Sequence, residues 1–113
     1  MKLDNLVFTS GQLPTDPETG KIVEEEIAAQ SRQVLENLKS VLEAAGTDLD
    51  HALKVTVYLV DKQRNFEKMN QVYGQYIRSE PARTTIDVPF IKEMQAKALV
   101  EIDVIASIDT KKV

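Results

Sequence analysis

The sequence predicts a mixed α+β domain in which two helices back one face of a single sheet. Two segments place apolar residues at spacings of three and four, the signature of helices with one buried stripe. Several others alternate apolar with polar residues, as half-buried strands do. The resulting order is strand, helix, strand, helix, strand, strand. Crossovers through helices imply strands running parallel, and the last two strands are expected to form an antiparallel hairpin. At 113 residues the chain fits one domain with one core, spanning 1–113.

Residues 5–10, NLVFTS, read as a short strand of β-branched and aromatic residues closed by Gly11. The stretch LPTDPETG that follows is a turn-rich loop, and KIV after it suits a brief edge strand. Residues 24–45 are the clearest helix, with Ile27, Val34, Leu35, Leu38, Val41, Leu42 and Ala45 on one stripe. Glu24, Glu25 and Glu26 are expected in its first turn, where the helix dipole favours them, and Gly46 as its left-handed cap. Residues 53–60 form the best strand, with Leu53, Val55, Val57 and Leu59 on one face and Lys54, Thr56, Tyr58 and Val60 on the other. A second helix is predicted over 63–79, with Phe66, Met69, Tyr73, Tyr76 and Ile77 as its apolar stripe. Pro81 steers Glu80 away from helical angles. Strands at 83–88 and 98–108 complete the set. Val60, Leu99 and Ile105 beside Tyr58 leave the helix-free face partly apolar, so other copies of the chain are expected to cover it in a closed homo-oligomer.

Composition narrows the function. The net charge is −4 and the pI about 5.0, with no basic block to follow a phosphate backbone, which argues against nucleic acid as a partner. There is no cysteine and one histidine, which removes thiolate catalysis, Cys-ligated zinc and multi-histidine metal sites. The four glycines stand alone, so no phosphate-binding loop is present. No targeting sequence or bilayer-length apolar run appears, and the expected location is the cytoplasm.

Five residues resist a purely structural explanation. Arg83 opens a strand on its polar side, and Thr85 shares that side. Glu101 and Asp103 lie on the polar side of the last strand, which the hairpin would set beside Arg83. Two readings stay open for this group. One is a cross-strand salt bridge of little energetic weight, which the pattern alone favours. In the other, Arg83 grips a small organic acid by two parallel hydrogen bonds while Glu101 holds and deprotonates a water. Asn70 shares a helix face with Phe66 and Tyr73; an amide there caps a carbonyl or meets a substrate. His51 is expected in solvent, and Gly74 to mark close packing.

The segments FTSGQLPTDPETG, QSRQVLENLKSVLEAAG, KVTVYLVD, NFEKMNQVYGQYI, PARTTIDV and ALVEIDVIA, in this order, closely resemble the RidA/YjgF family of reactive enamine/imine intermediate deaminases. The resemblance runs from Asn5 to Ala106. It implies a chorismate-mutase-like fold, a mixed sheet backed by two helices. It also implies a homotrimer with sheets facing inward and clefts between subunits. The implied activity is hydrolysis of 2-iminopropanoate and 2-iminobutanoate to 2-oxoacids and ammonia, without cofactor or metal. Carried over by motif, Arg83 resembles the family's carboxylate clamp and Glu101 the glutamate that orients the attacking water. Thr85 supplies main-chain groups for the imine nitrogen, Asn70 lies at the cleft, and Ser10 and Gly11 line the opposite wall. A glutamate half-buried there would be raised toward a neutral-pH base. The resemblance also implies alternatives: a non-catalytic binder of 2-oxoacids, or an endoribonuclease-like translation inhibitor. Two departures stand out. The family's usual first strand, with a tyrosine pointing into the cleft, is missing ahead of this chain's first strand. The loop between Arg83 and Glu101 is a few residues longer than usual, with Phe90 and Met94 in it to alter the entrance or substrate range.

Overall fold

The computed structural model describes residues 1–91 and 98–108. Its elements are β1 (Lys2–Leu3), β2 (Leu6–Phe8), α1 (Ile27–Ala44), a single 3₁₀ turn (Leu49–His51), β3 (Ala52–Val60), α2 (Lys62–Tyr76), β4 (Ala82–Val88) and β5 (Val100–Ser107). The predicted class holds: one mixed five-stranded sheet and two helices. KIV contributes one isolated bridge, Ile22 to Thr15.

The strand order is β1-β2-β5-β3-β4. Among the described residues only β3 and β4 pair in parallel; β5 runs antiparallel to both β2 and β3. The predicted hairpin between the last two strands is therefore absent, because β3 lies between β4 and β5. Composition explains the exchange. Val100, Ile102, Val104 and Ala106 give β5 a continuous apolar face, and all four are buried. β4 carries Arg83, Thr84, Thr85 and Asp87, and such a strand belongs at an edge.

The core lies between sheet and helices. Val55, Val57 and Leu59 of β3 meet Val34, Leu35, Leu38 and Leu42 of α1 and Met69, Val72 and Tyr73 of α2. Leu53 does not join them. A register shift between Ala52 and Lys54 turns it outward, and it is 49% exposed. Val41 also faces outward, and the polar Gln30 and Ser31 take places on the buried stripe of α1. Gln30 ties two loops together: its amide donates to the carbonyls of Val23 and Glu24 and accepts from the Leu99 N–H at 2.7 Å. Leu99 is thereby drawn against the core instead of the helix-free face.

The ends of α1 differ from expectation at one side only. The helix starts at Ile27, so none of the three glutamates lies in its first turn. Glu26 is instead the N-cap, and its carboxylate accepts from the Ala28 and Ala29 N–H groups at 3.0 and 2.8 Å. Those bonds hold the Glu26 carboxyl below its ordinary range. At the other end Gly46 has φ +96°; its N–H reaches the Glu43 carbonyl and the Thr47 N–H the Leu42 carbonyl. This is a Schellman cap, which needs a left-handed residue at that place. Gly74 marks no close packing, since a Cβ there would have no neighbour within 4 Å. His51 is half-buried and lies 2.7 Å from Asp48.

Candidate functional site

Arg83 is the second residue of β4, on the sheet's outer edge. Its guanidinium is held by three residues of α2. Nη1 donates to Asn70 Oδ1 at 2.7 Å, and Cζ stands 4.6 Å from the Tyr73 ring centroid and 5.6 Å from that of Phe66. Phe66, Asn70 and Tyr73 are spaced by four and three along the helix, so one stripe presents all of them. Burial raises the Tyr73 phenol above its ordinary value, while the Arg83 cation and a hydrogen bond with it pull the other way. Among the described residues no carboxylate pairs with Arg83. The predicted cross-strand salt bridge is therefore not formed.

Glu101 occupies a different place. It lies opposite Tyr58 on β5, half-buried, against the turn that joins β2 to the following loop. In that turn the Thr9 N–H bonds to the Val104 carbonyl, and Gln12 resumes pairing with Ile102. The Thr9 hydroxyl accepts from the Val104 N–H at 3.0 Å. Ser10 and Gly11 bulge out between these points. The Glu101 carboxylate rests on Gly11: a Cβ added there would overlap Oε2 and stand 2.8 Å from Cδ. Gly11 and Glu101 are thus in direct contact within one chain, and Ser10 lies exposed beside them.

Register decides which side of the sheet each group faces. Arg83 pairs with Val55 and Thr85 with Val57, whose side chains enter the core. Arg83, Thr85 and Asp87 therefore point to the helix side. Glu101 and Asp103 pair with Tyr58 and Thr56 and share the helix-free side with Thr84 and Ile86. The expectation that Arg83 and Glu101 line one surface is overturned. Their Cα positions are two strands and three residues apart, about 14 Å at usual strand spacings, with side chains aimed opposite ways. Alternation shows which residues of a strand share a side, but pairing with the central strand decides which side that is.

Thr85 sits next to Arg83 with its hydroxyl buried and, among the described residues, unpartnered. Its strand is the last in the sheet order, so among the described residues the outward backbone groups of β4 have no strand partner. Phe90, just past β4, is 64% exposed; Met94 lies outside the described residues.

Sequence reasoning missed two features. Phe66 and Tyr73 lie on the core stripe as expected, but they also cradle the Arg83 guanidinium, a role that their shared face with Asn70 could have signalled. It also missed a polar network on the helix-free face. Lys54 Nζ donates to the Thr84 and Thr56 hydroxyls at 3.0 and 3.4 Å. Beside it, burial raises the Asp103 carboxyl above its ordinary value, while Lys54 and a bond from Thr56 pull it partway back. A depression of about 680 Å³ at the start of α1, lined by Glu26, Asp61, Arg64 and Lys68 among others, contains none of the candidate residues. Among the described residues no cluster of histidine and carboxylate groups could hold a metal, and no helix is long and apolar enough to cross a membrane.

Comparison with known proteins places the molecule. The family described as Endoribonuclease L-PSP matches residues 1–108. A RutC family protein of Pyrococcus horikoshii is 48% identical over 107 residues, covering 94% of this chain and 82% of its own. Reactive Intermediate Deaminase A, chloroplastic, of Arabidopsis thaliana is 38% identical over 109 residues, covering 96% of this chain and 56% of its own. The crystal structure of E. coli TdcF with bound serine superposes with a TM-score of 0.85 at 33% identity, covering 95% of this chain and 84% of that one. By fold and by sequence, the chain belongs to the RidA/YjgF family.

Proposed function

We propose that the protein hydrolyses reactive 2-imino acids, 2-iminopropanoate and 2-iminobutanoate, to 2-oxoacids and ammonia. The observation that carries this reading is the state of Arg83. A half-buried guanidinium is held by a neutral amide and two aromatic rings, and among the described residues no acid pairs with it. That is a receptor for a small carboxylate. A relative named as a reactive intermediate deaminase and another crystallised with serine, an amino acid with such a carboxylate, support it.

In this reading Arg83 and Asn70 anchor the substrate carboxylate, and the outer backbone of β4 at Thr85 meets the imine nitrogen. Ser10 and Gly11 form the wall that carries Glu101. Water attacks C2 of the iminium ion and its proton passes to Glu101. The carbinolamine then collapses: Glu101 returns that proton to the nitrogen, the C–N bond breaks and ammonia leaves, while the hydroxyl gives up its own proton to Glu101 as the oxygen becomes the oxo group; that last proton leaves with the ammonia as ammonium. The carbon is already electrophilic, so holding and orienting the two reactants supplies most of the acceleration. No cofactor or metal enters the scheme.

Because Arg83 and Glu101 of one chain face opposite ways, the two meet over one substrate only if different subunits supply them. We therefore place the site in clefts between the subunits of a cytoplasmic homotrimer. The helix-free sheet face, with Tyr58, Ile86 and Ile105 exposed or half-buried on it, supports such packing.

The test is pyruvate release from serine through a pyridoxal-phosphate dehydratase. The protein should accelerate it and Arg83→Ala should abolish the gain; equal rates with and without wild type would rule the reading out for these substrates. The same separation of Arg83 from Glu101 favours a second reading, a 2-oxoacid binder without turnover. Calorimetric binding of 2-oxobutanoate together with a flat turnover assay would select it. Ribonuclease activity, which the matched family's description suggests, has little support in a chain of net charge −4.

A further inference from the structure

We propose that Tyr73, with Phe66 beside it, is a positioning residue that fixes the plane of the Arg83 guanidinium and so presents its remaining donors to a carboxylate in one orientation. The inference rests on the carboxylate-binding reading of Arg83 and adds to it why this arginine is ready to grip.

An arginine on an edge strand ordinarily turns its head to water and samples many rotamers. Here the head lies back against α2, on Asn70 and the two rings. Tyr73 is only 8% exposed, so its ring is set in the core and forms a rigid wall, and the guanidinium carbon lies 4.6 Å from the ring centroid. Phe66 adds a second contact at 5.6 Å, although Lys62 Nζ shares that ring at 5.7 Å. Tyr73 is therefore the principal contact. Asn70 takes one Nη1 proton at 2.7 Å. The Tyr73 hydroxyl also bonds to the guanidinium, so of its five N–H donors most remain, among the described residues, for a ligand, in a plane that the ring and the amide together define. Two parallel hydrogen bonds to a carboxylate require that plane to be matched. Ordering it before binding removes an entropic cost from the binding step. An acid in place of Asn70 would also orient the fork, but would occupy the ligand's position in charge.

The experiment titrates 2-oxobutanoate calorimetrically into wild type and variants, and follows the Arg83 side-chain N–H signal by NMR in the free proteins. Tyr73→Leu should weaken binding roughly 5- to 30-fold, the range of a partly desolvated cation–π contact. It should also remove the ring-current shift of the Arg83 signal. Tyr73→Phe should restore the shift and bring affinity back to within about threefold, since the ring face is retained and only the hydroxyl's bond to Arg83 is lost. Phe66→Leu should weaken binding about two- to fivefold. Tyr76→Phe, whose hydroxyl bonds to Glu36 away from the cradle, should change neither readout.

If Tyr73→Leu and Phe66→Leu bind as wild type does while Arg83→Ala abolishes binding, the positioning role is overturned and the carboxylate reading survives. If wild type does not bind, or Arg83→Ala binds equally well, that reading fails. The NMR arm then still decides the cradle, because an Arg83 signal unaltered by Tyr73→Leu shows that the ring does not order it. Should Tyr73→Leu not fold, Phe66→Leu settles the matter, and wild-type affinity with an unshifted signal there overturns the proposal.

Discussion

Replacing Gly11 by alanine puts a methyl group where the Glu101 carboxylate now lies. Gly11 is not among the glycines with positive φ, so its backbone accepts an L-residue and the effect is confined to the contact. The Glu101 carboxyl carbon stands 2.8 Å from the new Cβ position and Cγ stands 3.1 Å away. Ordinary carbon–carbon contact is about 3.5–4.0 Å, so the carboxyl group must retreat by about 1 Å. Glutamate can do this by rotating its outer bonds at about 1 kcal/mol or less. The fold should therefore barely notice. Catalysis should notice strongly, because a misplacement of about 1 Å in a group that presents the reacting water lowers rates about 100-fold. The assay pairs thermal unfolding with single-turnover release of 2-oxobutanoate from its imine. The expected result is a nearly unchanged melting temperature with a turnover close to that of Glu101→Gln. Wild-type turnover in Gly11→Ala would show that the position of this carboxylate is immaterial, and the role assigned to Glu101 would fall.

Three further outcomes follow from the fold. Glu26→Ala should cost about 0.5–1 kcal/mol near neutral pH by removing the cap of α1. Because the folded-state pKa of Glu26 is lowered, that contribution is present above the ordinary glutamate range and fades as pH falls through the lowered value, so urea titrations of the two proteins should converge in acid. Asp103→Asn acts with the opposite sign. Its folded-state pKa is raised, so wild type loses stability as pH rises from the ordinary aspartate value through the raised one, and the variant should lack that decline. Gly74→Ala should stabilise by about 0.5–1 kcal/mol, read as a higher urea midpoint, since the new methyl meets nothing and the helix interior gains a better helix former.

Local pattern carried much of this molecule. The stripe of Val34, Leu35, Leu38 and Leu42, the alternation of Val55, Val57 and Leu59, and the Gly46 cap are legible because each depends on neighbours within a turn or a strand repeat. The same holds for part of the site. Asn70 on one face with Phe66 and Tyr73, and Arg83 at the head of a strand, were visible before any fold. Their meeting was not, since Arg83 is 13 residues from Asn70 and the contact depends on where α2 lies over β4. The Glu101–Gly11 contact spans most of the chain and arises only because β5 runs beside the turn after β2.

Local pattern thus fixes which residues form each element and which of them share a side. Tertiary structure decided the rest: that β5 lies between β2 and β3, that β4 is left at the edge, and that Arg83 and Glu101 look to opposite faces. The physical reason is competition. Several strands offer an apolar side, but only the middle of the sheet is fully covered by the helices, and the strand with the most apolar side takes it. That outcome depends on all the strands at once, and no stretch of one strand records it.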